Sequence, residues 1–274
     1  MKKLIAALLL LAAPSMAYAW DQTPPQPAQA CAAQVPFGLP SAKPGMPVEC
    51  RHAYVLEHDN AAKIPVWVAY TLTPQHAIGC VPRSNAFVAD AALPKGQRSE
   101  LADYAHSGYD IGHLANDADM SWDNTVELES FLLSNMSPQT PAVNRGAWKL
   151  LETAARGWVF QKNQTFTVYA GNIYTVGKSK TIGPDNVVVP DELYKIVIDD
   201  VTGEYAGWVF PNAGNLGNDL TKLRASVAAI QQATGTTFPL PPKGRELAQN
   251  EQWAVDFGAL TASKRSICKG STGD

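Results

Sequence analysis

Charged side chains are scarce in this chain of 274 residues: they make up 17% of it, against roughly 25% in an average soluble domain. Hydrophobic residues make up 46%, so the composition excludes an intrinsically disordered chain. The 20 Gly and 20 Pro residues follow no period, which excludes a collagen-like or low-complexity protein. The formal net charge of −3 excludes a polycation that coats nucleic acid with its whole surface. A phosphate-binding site therefore has to be a local cluster of basic residues.

Long hydrophobic runs are also lacking after the N-terminus. The one clear run covers residues 4–13, follows Lys2 and Lys3, and precedes the small-residue pattern that ends at Ala19. It is about half the length that a membrane-spanning helix needs. This pattern predicts a signal peptide over residues 1–19. We therefore expect an exported protein, periplasmic or secreted, without a membrane anchor.

The chain has four cysteines and no Cys-x-x-Cys pair or closely spaced Cys/His pair. This favours structural disulfides over a zinc site. An even number of cysteines in an exported chain predicts two disulfides, and three pairings remain open. The candidates are Cys31, Cys50, Cys80 and Cys268.

The order of the predicted elements favours an α+β fold rather than a regular βαβ alternation. Residues 20–48 are rich in proline and predict an extended segment, followed by a single domain over residues 49–274. Strands are predicted at 50–57 and 65–73, which form a hairpin, and at 165–174, 187–189, 194–198 and 205–210. Helices are predicted at 144–155, ended by Gly157, and at 219–232, ending before Gly235.

The candidate chemistry begins at His113, which follows Gly112. A histidine titrates near pH 6.5 and can act as a general base, although a hydrogen-bonded structural histidine is the alternative. Downstream, an amide, a carboxylate and a guanidinium recur at four-residue spacing with a tryptophan among them, at Asn144, Trp148, Glu152 and Arg156. In a helix these side chains would share one side and could hold a hydrated cation and a phosphate. The alternative is a solvated face with one Glu–Arg pair.

Several ordered blocks of the sequence carry a resemblance to a known family. They are Asp110-x-Gly112-His113, Ser134-Asn135-x-x-Pro138-Gln139, Asn144-x-Gly146-x-Trp148 and Glu152-x-x-x-Arg156, with Arg83 upstream and Gly171-Asn172-Ile173 downstream. Over roughly residues 50–235 the chain resembles the DNA/RNA non-specific endonucleases, which include secreted sugar-non-specific bacterial nucleases and endonuclease G. The resemblance implies a ββα-metal (His-Me finger) fold, with a central, mostly antiparallel sheet and flanking helices.

The resemblance also implies a divalent metal ion and a general base. His113 would activate water for attack on phosphorus, Asn144 would be the direct protein ligand of Mg²⁺, and Glu152 would contact the ion through water. Mn²⁺ would be able to replace Mg²⁺. One amide ligand suits Mg²⁺, which retains several waters, whereas Ca²⁺ takes more carboxylates and zinc takes Cys or His.

The remaining implied roles concern the phosphate. Arg156 and Arg83 would bind it, and Asn135 would help to orient the site. Most members of the family carry Arg where this chain has Ile111, so one cation is missing. Because contacts to the nucleic-acid backbone read no bases, weak sequence preference is expected.

The function expected from the resemblance is metal-dependent hydrolysis of phosphodiester bonds in DNA, RNA or both. Ile111 keeps open a different class, a catalytically silent nucleic-acid-binding envelope protein on the same scaffold. A phosphodiesterase acting on substrates other than nucleic acids is a third interpretation. Lys264, Arg265 and Lys269 are either solvated or an extension of the phosphate-binding surface. The preference between DNA and RNA and the oligomeric state stay open.

Overall fold

The computed structural model describes residues 22–269, so the predicted signal peptide, residues 1–19, lies outside the described residues. The strands are β1 (Val48–Cys50), β2 (Tyr54–Asp59), β3 (Ile64–Leu72), β4 (Asp110–His113), β5 (Met136–Gln139), β6 (Phe166–Ile173), β7 (Thr181–Ile182), β8 (Val187–Val188), β9 (Glu192–Asp199), β10 (Glu204–Pro211), β11 (Arg224–Ala225) and β12 (Arg245–Glu246). The α-helices are α1 (Leu101–Tyr104), α2 (Asp117–Met120), α3 (Asn124–Ser130), α4 (Pro141–Val143), α5 (Lys149–Lys162), α6 (Val227–Thr234) and α7 (Phe257–Ile267). Within residues 22–269, no helix combines the length and the apolar character needed to cross a bilayer.

The central sheet has the strand order β1-β2-β3-β6-β9-β10-β11, and β12 pairs with β10. All of these pairings are antiparallel except the one between β10 and β12. The predicted hairpin is confirmed, with Tyr54 of β2 opposite Tyr70 of β3. The predicted α+β class with a mostly antiparallel sheet is therefore also confirmed.

Both faces of the sheet are covered, and strand β3 shows how. Val68 and Tyr70 pack on the side of the sheet where α5 lies, whereas Trp67 and Ala69 pack on the opposite side with α6. Successive side chains of a strand point to opposite faces, so a strand buried on both sides is hydrophobic almost throughout. This explains why the sequence of β3 shows little alternation between polar and apolar residues.

Two disulfides settle the pairing that the sequence left open. Cys31 is bonded to Cys50, and Cys80 is bonded to Cys268. The first attaches a 3₁₀-helix, Ala28–Gln34, to strand β1. This helix lies within the proline-rich segment and was not predicted from the sequence.

Two helix predictions were wrong in their boundaries. Helix α5 does not end at Gly157 but continues to Lys162. Gly157 lies inside the helix at a position where a Cβ atom would clash with Val255, so its role is close packing and not helix termination. The predicted helix at 219–232 is instead a 3₁₀ turn, strand β11 and then α6. The hydroxyl of Ser226 accepts a hydrogen bond from the backbone N–H of Ala229, so α6 begins only after this N-cap.

Candidate active site

Strands β4 and β5 pair antiparallel outside the central sheet, and α5 follows them in the chain. The end of β4 and the start of α5 border a cleft of about 530 Å³. Five of the six predicted site residues line this cleft: Arg83, His113, Asn144, Glu152 and Arg156. The sixth, Asn135, is fully buried outside it.

The backbone of His113 is fixed from two sides. The indole Nε1 of Trp148 donates a hydrogen bond of 3.2 Å to the carbonyl oxygen of His113, and Nε2 of Gln139 donates a longer one of 3.4 Å. Gly112 makes the approach of Gln139 possible, since a Cβ atom at residue 112 would overlap with that side chain. Trp148 therefore lies behind the histidine and not in the cleft.

The imidazole of His113 packs among aromatic rings. Its centroid lies 5.0 Å from that of Phe131, edge to face, and 5.5 Å from that of Phe87. Its Nε2 atom is buried and has no hydrogen-bond partner within the described part of the chain, which leaves Nδ1 as the ring nitrogen that the cleft can reach. Burial, and then the positive charge of Arg83, lower the pKa of His113 from 6.5 to about 3. The ring is therefore neutral near pH 7, and its Nδ1 atom faces the cleft.

We predict that His113 does not titrate in the folded protein between pH 8 and about pH 4. Its folded pKa of about 3 lies below the value of 6.5 for an unperturbed histidine. The unfolded chain therefore takes up the proton first, and stability present above pH 6.5 is lost as the pH falls toward 3. NMR titration of the histidine ring signals, assigned with H113Q, measures this. A His113 signal that titrates near pH 6.5 would contradict the prediction.

Asn144 opens a turn of π-helix, Asn144–Trp148, that precedes α5. Its amide Nδ2 donates a hydrogen bond of 2.9 Å to the carboxylate of Asp110, so the amide oxygen is the atom that remains for a ligand. Arg145 binds the same carboxylate through Nε and Nη2, at 2.8 and 2.6 Å. These bonds orient the amide at the rim of the cleft.

The expectation of one continuous helical side from residue 144 to residue 156 was wrong. Gly146 has a non-helical backbone, with φ −105° and ψ −116°, and Trp148 is buried in the core. A single turn of π-helix is frequently found at functional sites. It places Asn144 in the cleft with Glu152 and Arg156, whereas the tryptophan between them points inward.

Glu152 faces a buried cation that was not predicted from the sequence. Nζ of Lys195, on β9, lies 3.4 Å from the Glu152 carboxylate and 4.2 Å from the centroid of the Trp148 ring. Burial raises the pKa of Glu152, and the positive charges of Lys195 and Arg156 oppose this rise. Lys195 therefore favours the ionised carboxylate that a metal ion would need.

The two predicted arginines both line the cleft, and each is held by an aspartate. Arg83 donates to Asp117 at 3.0 Å, and its guanidinium stacks 4.9 Å from the centroid of the Phe131 ring. Arg156 donates to Asp119 at 2.8 Å. A guanidinium has five N–H donors, so these pairs position the arginines and leave donors for a phosphate.

Asn135 holds the chain just after His113. Its amide accepts a hydrogen bond from the backbone N–H of Ala115 at 2.9 Å and donates to the carbonyl oxygens of Ala115 and Ser130, both at 2.8 Å. The backbone carbonyl oxygen of Asn135 accepts a hydrogen bond from the backbone N–H of Leu114. Asn135 is therefore placed to position His113, and it does not line the cleft.

The donor atoms of the cleft fit Mg²⁺ better than zinc. No group of three or more His, Cys, Asp or Glu side chains able to hold a metal ion occurs among residues 22–269. Zinc requires such a group, whereas Mg²⁺ is held by one or two protein oxygens and retains its waters. The amide oxygen of Asn144 would be such an oxygen, and the carboxylate of Glu152 would contact the ion through one of its waters.

Ile111 lines the cleft where the resemblance leads one to expect an arginine. Two other cations, which were not predicted from the sequence, line the same cleft: Arg145 and Lys149. The Arg145 side chain is 72% exposed although it binds Asp110. The cleft therefore keeps positive charge on this rim without an arginine at position 111.

The β4–β5–α5 unit, with a histidine on β4 and an amide at the start of the helix, defines a ββα-metal nuclease fold. The chain belongs to the DNA/RNA non-specific endonuclease family, which it matches over residues 39–243.

Two curated relatives and one solved structure show the extent of the similarity. The chain is 31% identical over 215 residues to human mitochondrial endonuclease G, covering 72% of each chain. It is 32% identical over 200 residues to a nuclease of Nostoc sp. strain PCC 7120, covering 69% of this chain and 71% of the relative. A crystal structure of an EndoG/EndoGI complex shares the fold, with a TM-score of 0.73 at 24% identity, covering 83% of this chain and 99% of that one.

Proposed function

We propose that this protein is an exported, Mg²⁺-dependent endonuclease that hydrolyses DNA, RNA or both with little sequence preference. The observation that carries the proposal is the single cleft that brings together a neutral imidazole, an oriented amide, a buried carboxylate and two arginines. Hydrolysis of a phosphodiester requires activation of a nucleophile and stabilisation of negative charge, and these groups are able to supply both.

In this mechanism His113 accepts a proton from the water that attacks phosphorus. Arg83 and Arg156 bind the anionic oxygens and offset the charge that develops on them. Asn144 would hold Mg²⁺ directly and Glu152 would hold it through water, and the ion would supply charge neutralisation at the phosphate and at the leaving oxygen. The oxygen of the attacking water bonds to phosphorus as the P–O3′ bond breaks, and the 3′ oxygen takes up a proton from solvent. Asp110, Asn135 and Lys195 act through the groups that they position.

Two features support export. The sequence of residues 1–19 has the pattern of a signal peptide, and the cysteines form two disulfides, with no free cysteine in the described part of the chain. Such bonds persist in oxidising compartments. A site that contacts only the phosphates of the nucleic-acid backbone would accept both DNA and RNA, because a protein distinguishes them through contacts to the 2′-OH.

Incubation of the purified chain with circular DNA and with RNA, with and without Mg²⁺, tests the proposal. We expect nicking, then linear DNA and short fragments, only when Mg²⁺ is present. Retarded but intact DNA would favour the silent nucleic-acid-binding protein that Ile111 keeps open. Full activity in excess EDTA would contradict the metal requirement. Cleavage of a small chromogenic diester with no action on DNA or RNA would favour the third interpretation.

A further inference from the structure

A second groove, of about 480 Å³, opens beside the catalytic cleft. The two share Ala118 and Arg156 as lining residues. The far side of this groove is formed by helix α7, which contributes Leu260, Lys264 and Arg265, and by Lys269 after it. The groove is therefore continuous with the catalytic cleft through Arg156.

A covalent bond fixes this helix in place. The Cys80–Cys268 disulfide joins the end of α7 to a point three residues before Arg83, with the two Cα atoms 5.3 Å apart. Helix α7 begins at residue 257, beyond residue 243 where the match to the endonuclease family ends. The disulfide therefore ties α7 to the edge of the site, outside the part of the chain that matches the family.

The groove carries cations that no salt bridge in the described part of the chain pairs. Within the described residues, Lys264, Arg265 and Lys269 form no salt bridge, unlike Arg245, which pairs with Glu204 and Glu251. Lys264 is half-buried, whereas Arg265 and Lys269 are exposed. Partial burial, and then the positive charge of Arg156, lower the pKa of Lys264, while Asp117 and Asp119 act in the opposite direction. Lys264 is thus close enough to Arg156 to act on the same polyanion.

We propose that the α7 groove binds the sugar-phosphate backbone of the substrate strand where that strand continues beyond the scissile phosphate. Phosphates repeat along each strand, so a chain bound at Arg156 presents further negative charges to neighbouring cations. Lys264, Arg265 and Lys269 would bind these phosphates and extend the contact surface without reading bases. The proposal rests on the proposed function, because the occupant of the groove is the nucleic acid that the cleft hydrolyses.

The test is the triple variant K264Q/R265Q/K269Q, compared with the control K178Q/K222Q/K243Q. The control removes the same charge from exposed lysines that line neither the cleft nor the groove. We expect KM for long duplex DNA to rise about tenfold at physiological salt, and the slope of log KM against log salt to fall by about 2 to 3. The kcat for DNA and kcat/KM for a small chromogenic diester should match the control.

Two outcomes would overturn the proposal. In one, the groove variant has the KM and the salt slope of the control; in the other, it loses activity on the small diester to the same extent as on DNA. If the wild-type chain cleaves no substrate, the proposed function fails by itself. In that case fluorescence anisotropy with a labelled duplex in EDTA still tests the groove: a salt slope equal to that of the control overturns it, and a lower slope supports it.

Discussion

Replacement of His113 by alanine is expected to lower kcat for plasmid DNA by about 10²- to 10⁴-fold, the usual contribution of a general base. Burial and Arg83 lower the pKa of His113 to about 3, so the ring is unprotonated throughout the neutral range and carries a free lone pair. Among the residues that the structure describes, His113 is the one histidine that lines the cleft. A gel assay of plasmid nicking over time measures the loss.

A loss of activity reports on catalysis only if the variant stays folded. His113 packs against Phe131 and Phe87, so H113Q is a second variant that keeps most of the buried volume. Circular dichroism and thermal melting should show both variants folded. H106N is the matched control, because His106 is exposed, has φ of 57° and lies outside the cleft, and asparagine tolerates that conformation. Nicking by H113Q and H113A at the rate of H106N would remove the proposed base.

The hairpin of β2 and β3 could be predicted from the sequence because its signal is local. Both strands are rich in β-branched and aromatic residues, and a polar turn separates them. The end of α5 could not be predicted in this way. Gly157 is a common helix terminator in sequence, but here it lies where Val255, almost a hundred residues later, approaches the helix. A tertiary contact overrides the local preference.

The candidate site shows the same division. The residue types that line the cleft could be identified from ordered motifs, with His113, Asn144 and Glu152 among them. The groups that set their properties lie far away in the chain: Lys195 reaches Glu152 from β9, and Asp110 reaches Asn144 from β4. No periodicity joins such pairs, since each is made by the packing of one element on another. The turn of π-helix at Asn144–Trp148 likewise could not be predicted, because the four-residue spacing of the motif suggests a regular α-helix.

Asn144→Ala is expected to lower the Mg²⁺-dependent rate by at least about 10²-fold, because charge stabilisation by a metal ion is worth several kcal/mol and each 1.4 kcal/mol is tenfold. Excess EDTA should abolish activity of the wild-type chain, and Mg²⁺ should restore it. N218A is the matched control, since Asn218 is exposed and lines no part of the cleft. Wild-type rates for N144A at limiting Mg²⁺ would contradict the proposed ligand.

A readout independent of turnover separates loss of the ion from other damage. A ligand that binds only the folded state raises its stability, so Mg²⁺ should raise the melting temperature of the wild-type chain and of N218A but not that of N144A.

Asp110→Asn completes the argument, because Asp110 orients the amide of Asn144 without supplying a ligand. We expect D110N to need about 10- to 100-fold more Mg²⁺ and to regain most of its kcat at saturating Mg²⁺, which N144A would not. If D110N binds Mg²⁺ as the wild-type chain does, the hydrogen bond between residues 110 and 144 does not position the ligand.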